Sequence, residues 1–113
     1  MTSTSRPALM LAYITCASQA EATSIGTALV SEHLAACINI LPGMQSLYWW
    51  EGALTCGEET VLIAKGTLAG AERLTARVRA LHSYRCPCVV ILPIVDGNPA
   101  YLDWLAGSVS APE

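Results

Sequence analysis

A cysteine and a histidine carry the clearest potential for metal chemistry in this sequence. Cys16 follows a short apolar run and directly precedes a predicted helix, whose free N–H groups favour a thiolate. His82 ends a second predicted helix, where the helix dipole favours a cation. Thiolate and imidazole ligands suit copper or zinc better than magnesium or calcium. The alternatives are a buried apolar cysteine and a histidine that only caps its helix.

A Cys-Pro-Cys sequence at residues 86–88 follows His82 closely. In an extended chain the thiols of Cys86 and Cys88 point to the same side, because strand side chains alternate with a period of two. The pair could supply a third ligand to an ion held by Cys16 and His82, bind a soft metal itself, or form a strained disulfide. Water or a second chain could equally complete the Cys16 site. The structural alternative is a proline that starts a strand between two small apolar residues.

The composition argues against nucleic-acid binding, a membrane span and a disulfide framework. Six Lys and Arg stand against nine Asp and Glu, a net charge of −3, whereas nucleic-acid binding needs a concentrated basic surface. Apolar runs fall short of the roughly 18 residues of a spanning helix, and residues 1–7 lack the apolar core of a signal peptide. We therefore expect a cytoplasmic protein with no membrane partner, in which the five cysteines are reduced.

Hydrophobic periodicity predicts the element order β-α-β-β-α-β followed by a short closing helix. This order is typical of the ferredoxin-like fold, so we expect an α+β sandwich. The predicted elements are strands at 8–15, 37–50, 59–65 and 87–95, and helices at 18–36, 71–82 and 101–105. We expect a single domain at 8–106, with a disordered tail at 1–7 and a C-terminal tail at 107–113.

Local signals mark several of these boundaries. Ser18 is expected to cap the first helix, with Glu21 completing a capping box. Pro42 and Gly43 fall inside the second strand and predict a bulge. Residues 52–57, bracketed by glycines, are expected to form the turn between the second and third strands.

The chain is too apolar to remain alone. Hydrophobic residues make up 53% of it and charged residues 13%, against about 25% in typical domains. Three predicted strands are apolar at nearly every position, so two helices on one face would leave the other face uncovered. A second copy of the chain is the simplest cover. Tyr48, Trp49 and Trp50 are the expected interface anchors, with stacking on a ligand as the alternative.

Several sequence blocks, taken in order, resemble the CutA (divalent-cation tolerance) family. The similarity runs from about Tyr13 to Leu105. Each block alone is weak, but the ordered set is specific. The blocks are Leu34-Ala-Ala-Cys-Ile-Asn39, Pro42-Gly43, Ser46-Leu-Tyr-Trp-Trp-Glu-Gly52, Lys65, His82-Ser-Tyr84 and Gly97 with Tyr101-Leu-Asp-Trp104.

The resemblance implies a ferredoxin-like homotrimer related in architecture to PII signalling proteins, whose long second and third strands, 37–51 and 57–67 here, pair with neighbouring chains. It also implies a role in tolerance of divalent cations, copper among them, with metal binding at the positions of Cys16 and His82. The sequence lacks Gly-x-Ser-x-Gly, His-Glu-x-x-His and a phosphate-binding glycine loop. We therefore expect a non-enzymatic protein of metal homeostasis that binds Cu²⁺ or another divalent cation and needs no organic cofactor.

The sequence departs from the family where the second helix ends. The family usually reads His-Pro-Tyr-Glu-x-Pro-Glu, whereas this chain reads His82-Ser-Tyr-Arg-Cys-Pro-Cys88. Arg85 and Cys88 thus replace acidic residues, which weakens an oxygen-rich site and adds two thiols. The alternative function is a PII-like signalling trimer that binds a small anionic ligand between subunits. Lys65 and Arg85 are the candidate cations for such a cleft.

Overall fold

The computed structural model describes residues 6–109, which form a four-stranded antiparallel sheet and three helices. The sheet order is β2-β3-β1-β4, and a single 3₁₀ turn at 68–70 leads into the second helix. This arrangement confirms the predicted α+β, ferredoxin-like fold. The elements are β1 (Leu9–Cys16), α1 (Gln19–Ser31), β2 (Cys37–Trp50), β3 (Ala53–Thr67), α2 (Ala71–Leu81), β4 (Val89–Ile94) and α3 (Pro99–Ser108).

Helix α1 begins where the capping pattern predicts. The Ser18 hydroxyl accepts a hydrogen bond from Glu21 N at 3.1 Å. The Glu21 carboxylate in turn accepts a bond from Ala17 N at 2.9 Å. These contacts satisfy N–H groups that a helix start leaves without partners, and they fix the Glu21 side chain over the junction between β1 and α1.

The end of α1 differs from the prediction. The helix ends at Ser31 rather than near residue 36. His33 adopts the left-handed conformation with φ 62°, which turns the chain out of the helix. The Leu34 N–H then donates to Leu29 O at 2.9 Å and satisfies one of the last helical carbonyls.

The bulge inside β2 is confirmed. The register with β3 shifts between Leu41 and Met44, at the predicted Pro42 and Gly43. Gly43 takes φ 78°, a conformation that side chains rarely adopt. The bulge bends the hairpin of β2 and β3 without ending the pairing.

The predicted turn at 52–57 is wrong, and β3 is longer than expected. The chain reverses at Glu51 and Gly52, with φ 50° and 82°, which are values of a tight two-residue hairpin turn. Gly57 instead lies within β3, opposite Ser46. The two glycines suggested a loop over residues 52–57, but cross-strand pairing with β2 continues through residues 53–57.

The hairpin of β2 and β3 extends far beyond the rest of the sheet. Strand β1 pairs with β3 only from Thr60 to Thr67. Residues 44–59 therefore form a projecting two-stranded segment, which we call the arm, and the longest dimension of the chain is 54 Å. Two-stranded ribbons are marginally stable in water by themselves. The large apolar residues exposed on the arm are Leu47, Tyr48, Trp49, Trp50 and Leu54.

The main core lies between one face of the sheet and helices α1 and α2. Alternate residues of β1, from Met10 to Cys16, are fully buried against these helices. On the opposite face, α3 packs Leu102 and Leu105 against Leu9. Other parts of this second face stay half exposed, among them Val90 and Leu92.

The C-terminal part of the fold begins and ends differently from the prediction. Strand β4 starts at Val89 rather than at 87. Asn98 caps α3 ahead of Pro99, and the helix continues through Ser108, into the range predicted as tail. Arg6 pairs with Asp103 of α3 at 2.6 Å. The rest of the predicted tails, 1–5 and 110–113, lies outside the described residues. None of the helices within 6–109 is long and apolar enough to span a membrane.

Candidate metal centre

Three elements bring a thiol, a carboxylate and an imidazole to one point. Cys16 is the last residue of β1, Glu21 lies in the first turn of α1, and His82 directly follows α2. Cys16 Sγ, a Glu21 carboxylate oxygen and a His82 ring nitrogen all lie within 4.8 Å of one another. The side chains of Cys16 and His82 are fully buried, and that of Glu21 is 15% exposed. The structure therefore brings together the two residues predicted as metal ligands.

Hydrogen bonds define the protonation of the His82 ring. Its Nε2 lies 2.8 Å from Thr15 O, and a carbonyl oxygen only accepts, so Nε2 carries a proton. Its Nδ1 accepts the Tyr84 N–H at 3.1 Å. Both contacts fit the neutral imidazole rather than the cation suggested by the helix end. Glu21 Oε2 lies 3.7 Å from Nδ1.

The expectation that the start of α1 favours a Cys16 thiolate is wrong. Burial first, and then the negative charges of Glu21 and Glu59, raise the pKa of the Cys16 thiol to about 12. The N–H groups at the start of α1 are used by Ser18 and Glu21 instead. Without a cation beside it, Cys16 is therefore a protonated, buried thiol.

Glu21 holds the cluster together and stays ionised. Its carboxylate accepts hydrogen bonds from Ala17 N at 2.9 Å and from Ser83 N at 2.7 Å. Partial burial opposes ionisation, but the hydrogen bonds from Ala17 and Ser83 outweigh it and lower the pKa of the Glu21 carboxyl. Sequence reasoning assigned Glu21 only a capping role. The available signal was its position five residues after Cys16, because a capping glutamate folds back over the preceding strand end.

The donor set fits a transition-metal ion. A thiolate, an imidazole nitrogen and a carboxylate oxygen suit zinc or copper. An ion would take His82 Nδ1, while Thr15 O keeps its bond to Nε2–H, the supporting contact that metal-binding histidines usually make. In this structure Glu21 Oε2 accepts the Ser83 N–H, and His82 Nδ1 accepts the Tyr84 N–H. An ion would need both of these ligand atoms, so binding requires that residues 83–84 shift.

Cys86 and Cys88 lie outside this cluster. Both are exposed, and both line a cavity of about 810 Å³ between the arm and the start of β4. Tyr84 lines the same cavity, and its ring lies 4.6 Å from the His82 ring. Its hydroxyl donates to Glu59 Oε2 at 2.8 Å. Burial and this hydrogen bond raise the pKa of Tyr84, so the phenol keeps its proton.

Lys65 and Arg85, the cations of the alternative function, occupy different places. Lys65 Nζ donates to the Tyr101 hydroxyl at 3.1 Å, which raises the pKa of Lys65. Arg85 lines the cavity near Thr15. Lys65 pairs with Leu11, four strand positions or roughly 13 Å away from Thr15 along the sheet. A single chain therefore does not bring the two cations to one ligand.

The predicted interface aromatics lie near the tip of the arm. Tyr48, Trp49 and Trp50 are 42%, 73% and 53% exposed. Tyr48 and Trp50 line the cavity that also holds Arg85. Trp49 lies between them in β2 and therefore points to the other face. The arm thus presents large apolar side chains on both of its faces.

Comparisons with known proteins agree on one family. The family model of the CutA1 divalent ion tolerance protein matches residues 10–108. The "Divalent-cation tolerance protein CutA" of Thermus thermophilus is 48% identical over 92 residues, which cover 81% of this chain and 89% of that protein. The rice "Protein CutA 1, chloroplastic" is 41% identical over 95% of this chain, which spans 60% of the rice protein.

A solved structure supports the same assignment. The "Periplasmic divalent cation tolerance protein CutA" of Archaeoglobus fulgidus superposes with a TM-score of 0.87 at 36% identity, covering 90% of this chain and 99% of that one. The family model spans the sheet from its second residue onward, all three helices and the three residues of the cluster. The chain therefore belongs to the CutA1 family of divalent ion tolerance proteins.

Proposed function

We propose that this protein acts in divalent-cation tolerance as a non-enzymatic metal-binding protein, with copper as the foremost ion. The observation that carries the proposal is the cluster of Cys16, Glu21 and His82, whose ligand atoms lie within 4.8 Å of one another. Each metal bond is about 2.0–2.3 Å long, so ligand atoms of one ion can be up to about twice that distance apart. The cluster meets this condition with only a small movement.

An ion would also resolve the electrostatics of the cluster. The Cys16 thiol is kept protonated by burial and by carboxylates, and a divalent cation supplies the positive charge that a thiolate needs there. Glu21 is already ionised, and His82 already has Nδ1 free of a proton. Only Cys16 has to release a proton when an ion binds.

Anaerobic titration of the full chain with Cu(II), and with Zn(II) as a redox-inert divalent probe, tests this site. Cys16→Ser and His82→Gln are expected to weaken binding at the site at least tenfold. Cys56→Ser and His33→Ala, which remove an exposed thiol and an exposed imidazole elsewhere, serve as matched controls and should leave it unchanged. Circular dichroism checks that the variants are folded. Unchanged affinity in both folded Cys16 and His82 variants would refute the proposal.

We further propose that the protein is a homotrimer in which the arm of each chain covers its neighbour. Within residues 6–109 the outer edges of β2 and β4 lack a strand partner, and they lie on opposite sides of the sheet. Pairing one edge with the opposite edge of the next copy is a head-to-tail contact, which generates a closed ring when the rotation between copies closes. The exposed apolar side chains of the arm, Tyr48, Trp49 and Trp50 among them, supply the anchors.

Light scattering is expected to give three times the chain mass of 12.0 kDa. Replacing Trp49 and Trp50 by serine should shift the protein towards smaller species. Trp104→Ser is the matched control, because Trp104 is 50% exposed on α3 and lies away from the arm. A stable monomer of the unmodified protein at micromolar concentration would refute the assembly.

We also propose a reducing, cytoplasmic location. The five cysteines are all unpaired, and three of them are exposed, a state that oxidising compartments do not preserve. Cell fractionation with an antibody to the chain tests this, and recovery in a periplasmic or other exported fraction would contradict it.

A further inference from the structure

The two exposed thiols after α2 share one wall of the cavity between the arm and the start of β4. Thr15 N donates to Cys88 O at 3.4 Å, so Cys88 continues the register of β4 opposite Thr15, on the face away from α1 and α2. Cys86, two residues earlier, lines the same cavity. Both residues are exposed, in contrast to Cys16, which is fully buried.

Pro87 restricts the segment between the two thiols. Its ring fixes φ near −65°, and it confines the preceding residue, Cys86, to extended conformations. Cα atoms two residues apart in an extended chain are about 6.6 Å apart. Two thiolates that each lie about 2.3 Å from one ion span at most about 4.6 Å, a distance that their side chains cover by turning towards each other.

The charges of the cavity favour a monovalent soft cation. Two thiolates around one monovalent ion leave a net charge of −1, and the Arg85 guanidinium, which lines the same cavity, balances it. The nearby Glu59 carboxylate is already engaged by the hydroxyls of Ser46 and Tyr84, each at 2.8 Å. A divalent ion that needs oxygen ligands would have to compete with both hydroxyls.

The walls of the cavity suit a sulfur-bound ion. Aromatic and aliphatic side chains form part of the wall beside the two thiols; they are Tyr13, Leu47, Tyr48 and Trp50. Tyr84 separates this cavity from the buried cluster, since it lines the cavity and stacks against His82. The two groups of ligands are therefore separate sites.

We propose that Cys86 and Cys88 form a bis-thiolate site for a soft monovalent cation, Cu(I), in the cavity beside Arg85. Soft sulfur ligands select Cu(I) over hard ions such as Mg²⁺ or Ca²⁺. Binding releases the two thiol protons to solvent and involves no change in the oxidation state of the metal or of sulfur. This site is independent of the cluster proposed above for divalent ions.

Anaerobic competition for Cu(I) with a chromophoric chelator, bathocuproine disulfonate, tests the site on the full chain. The unmodified protein should bind one Cu(I) ion. Its Cu(I) affinity should fall at least about a hundredfold in Cys86→Ser, in Cys88→Ser and in the double variant. Cys56→Ser, which removes an exposed thiol of β3, is the matched control and should retain it. X-ray absorption of the loaded protein should show two sulfur ligands.

The outcomes separate this site from the buried cluster. Cys16→Ser should retain the Cu(I) equivalent, whereas Cys86→Ser with Cys88→Ser should retain Zn(II) binding. Undiminished Cu(I) affinity in the double variant, or loss in only one of the two single variants, would overturn the proposal. So would failure of both thiols to react with iodoacetamide in the native assembly, because the interface would then occupy the cavity.

Discussion

Replacing Glu21 by glutamine removes one charge at the centre of the cluster and changes the side-chain shape little. In the structure, the carboxylate accepts the N–H groups of Ala17 and Ser83 and thereby joins the start of α1 to the segment after α2. The side chain is 15% exposed, so water replaces these bonds poorly. Glu21→Gln is therefore expected to destabilise the fold at neutral pH.

The magnitude follows from the two hydrogen bonds. A bond to a charged acceptor contributes about 1.5–3 kcal/mol and one to a neutral acceptor about 0.5–1.5 kcal/mol, so the loss of charge costs about 1 kcal/mol for each bond. The amide also presents an NH₂ group where one oxygen stood, which leaves one N–H without an acceptor and adds about 1 kcal/mol. We expect a loss of about 2–3 kcal/mol in the free energy of unfolding.

The pH dependence provides an internal check. The pKa of Glu21 is lower in the folded protein than in the unfolded chain, where it is about 4.3. Its stabilising contribution is therefore complete above about pH 5 and disappears as the pH falls through the folded-state pKa. Glutamine does not titrate, so the stability difference between the two proteins should stay constant from about pH 5 to pH 8 and shrink below about pH 4.

Urea denaturation followed by circular dichroism, at one protein concentration for all variants, measures these differences. Glu32→Gln is the matched control, because Glu32 is exposed and bound by Arg77 on the surface, where screening weakens ion pairs. Its denaturation midpoint should stay at the wild-type value. A Glu21→Gln variant as stable as wild type at pH 7, or a difference that persists unchanged to pH 2, would refute this account of the cluster.

Two further predictions concern the thiol of the cluster and the packing of β3. From about pH 6.5 to pH 8 the apparent Zn(II) affinity should rise about tenfold per pH unit, because the pKa of Cys16 is about 12 and binding must release its proton. A competition titration measures this slope, and a slope below about threefold per pH unit would exclude the Cys16 thiol as a ligand. Gly66→Ala should lower the free energy of unfolding by about 1–3 kcal/mol in urea denaturation, because the new Cβ would lie 2.9 Å from Leu34 O. In Gly57→Ala, the control in the same strand, the new Cβ meets no atom within 4 Å, so the denaturation midpoint should stay at the wild-type value. Equal midpoints for the two variants would contradict this explanation.

The element order, the fold class and several boundaries could be read from local sequence. Ser18 and Glu21 predict the start of α1, since capping depends on contacts within one turn. Pro42 and Gly43 predict the bulge, because a missing donor and a permissive φ act on their own strand. The position of the turn after β2 was predicted wrongly, because it depends on how far β2 and β3 remain paired. The positions of the glycines alone do not determine that length.

The proximity of Cys16 and His82 could also be predicted from the sequence. In the ferredoxin-like fold β1 and β4 are antiparallel neighbours, so the end of β1 lies beside the start of β4. The protonation of that site was decided only by tertiary structure. A helix start beside Cys16 suggested a thiolate, yet the folded chain buries the thiol and places two carboxylates near it. Desolvation and charge at a buried atom come from residues remote in sequence, so local patterns locate the ligands, whereas packing sets their charge.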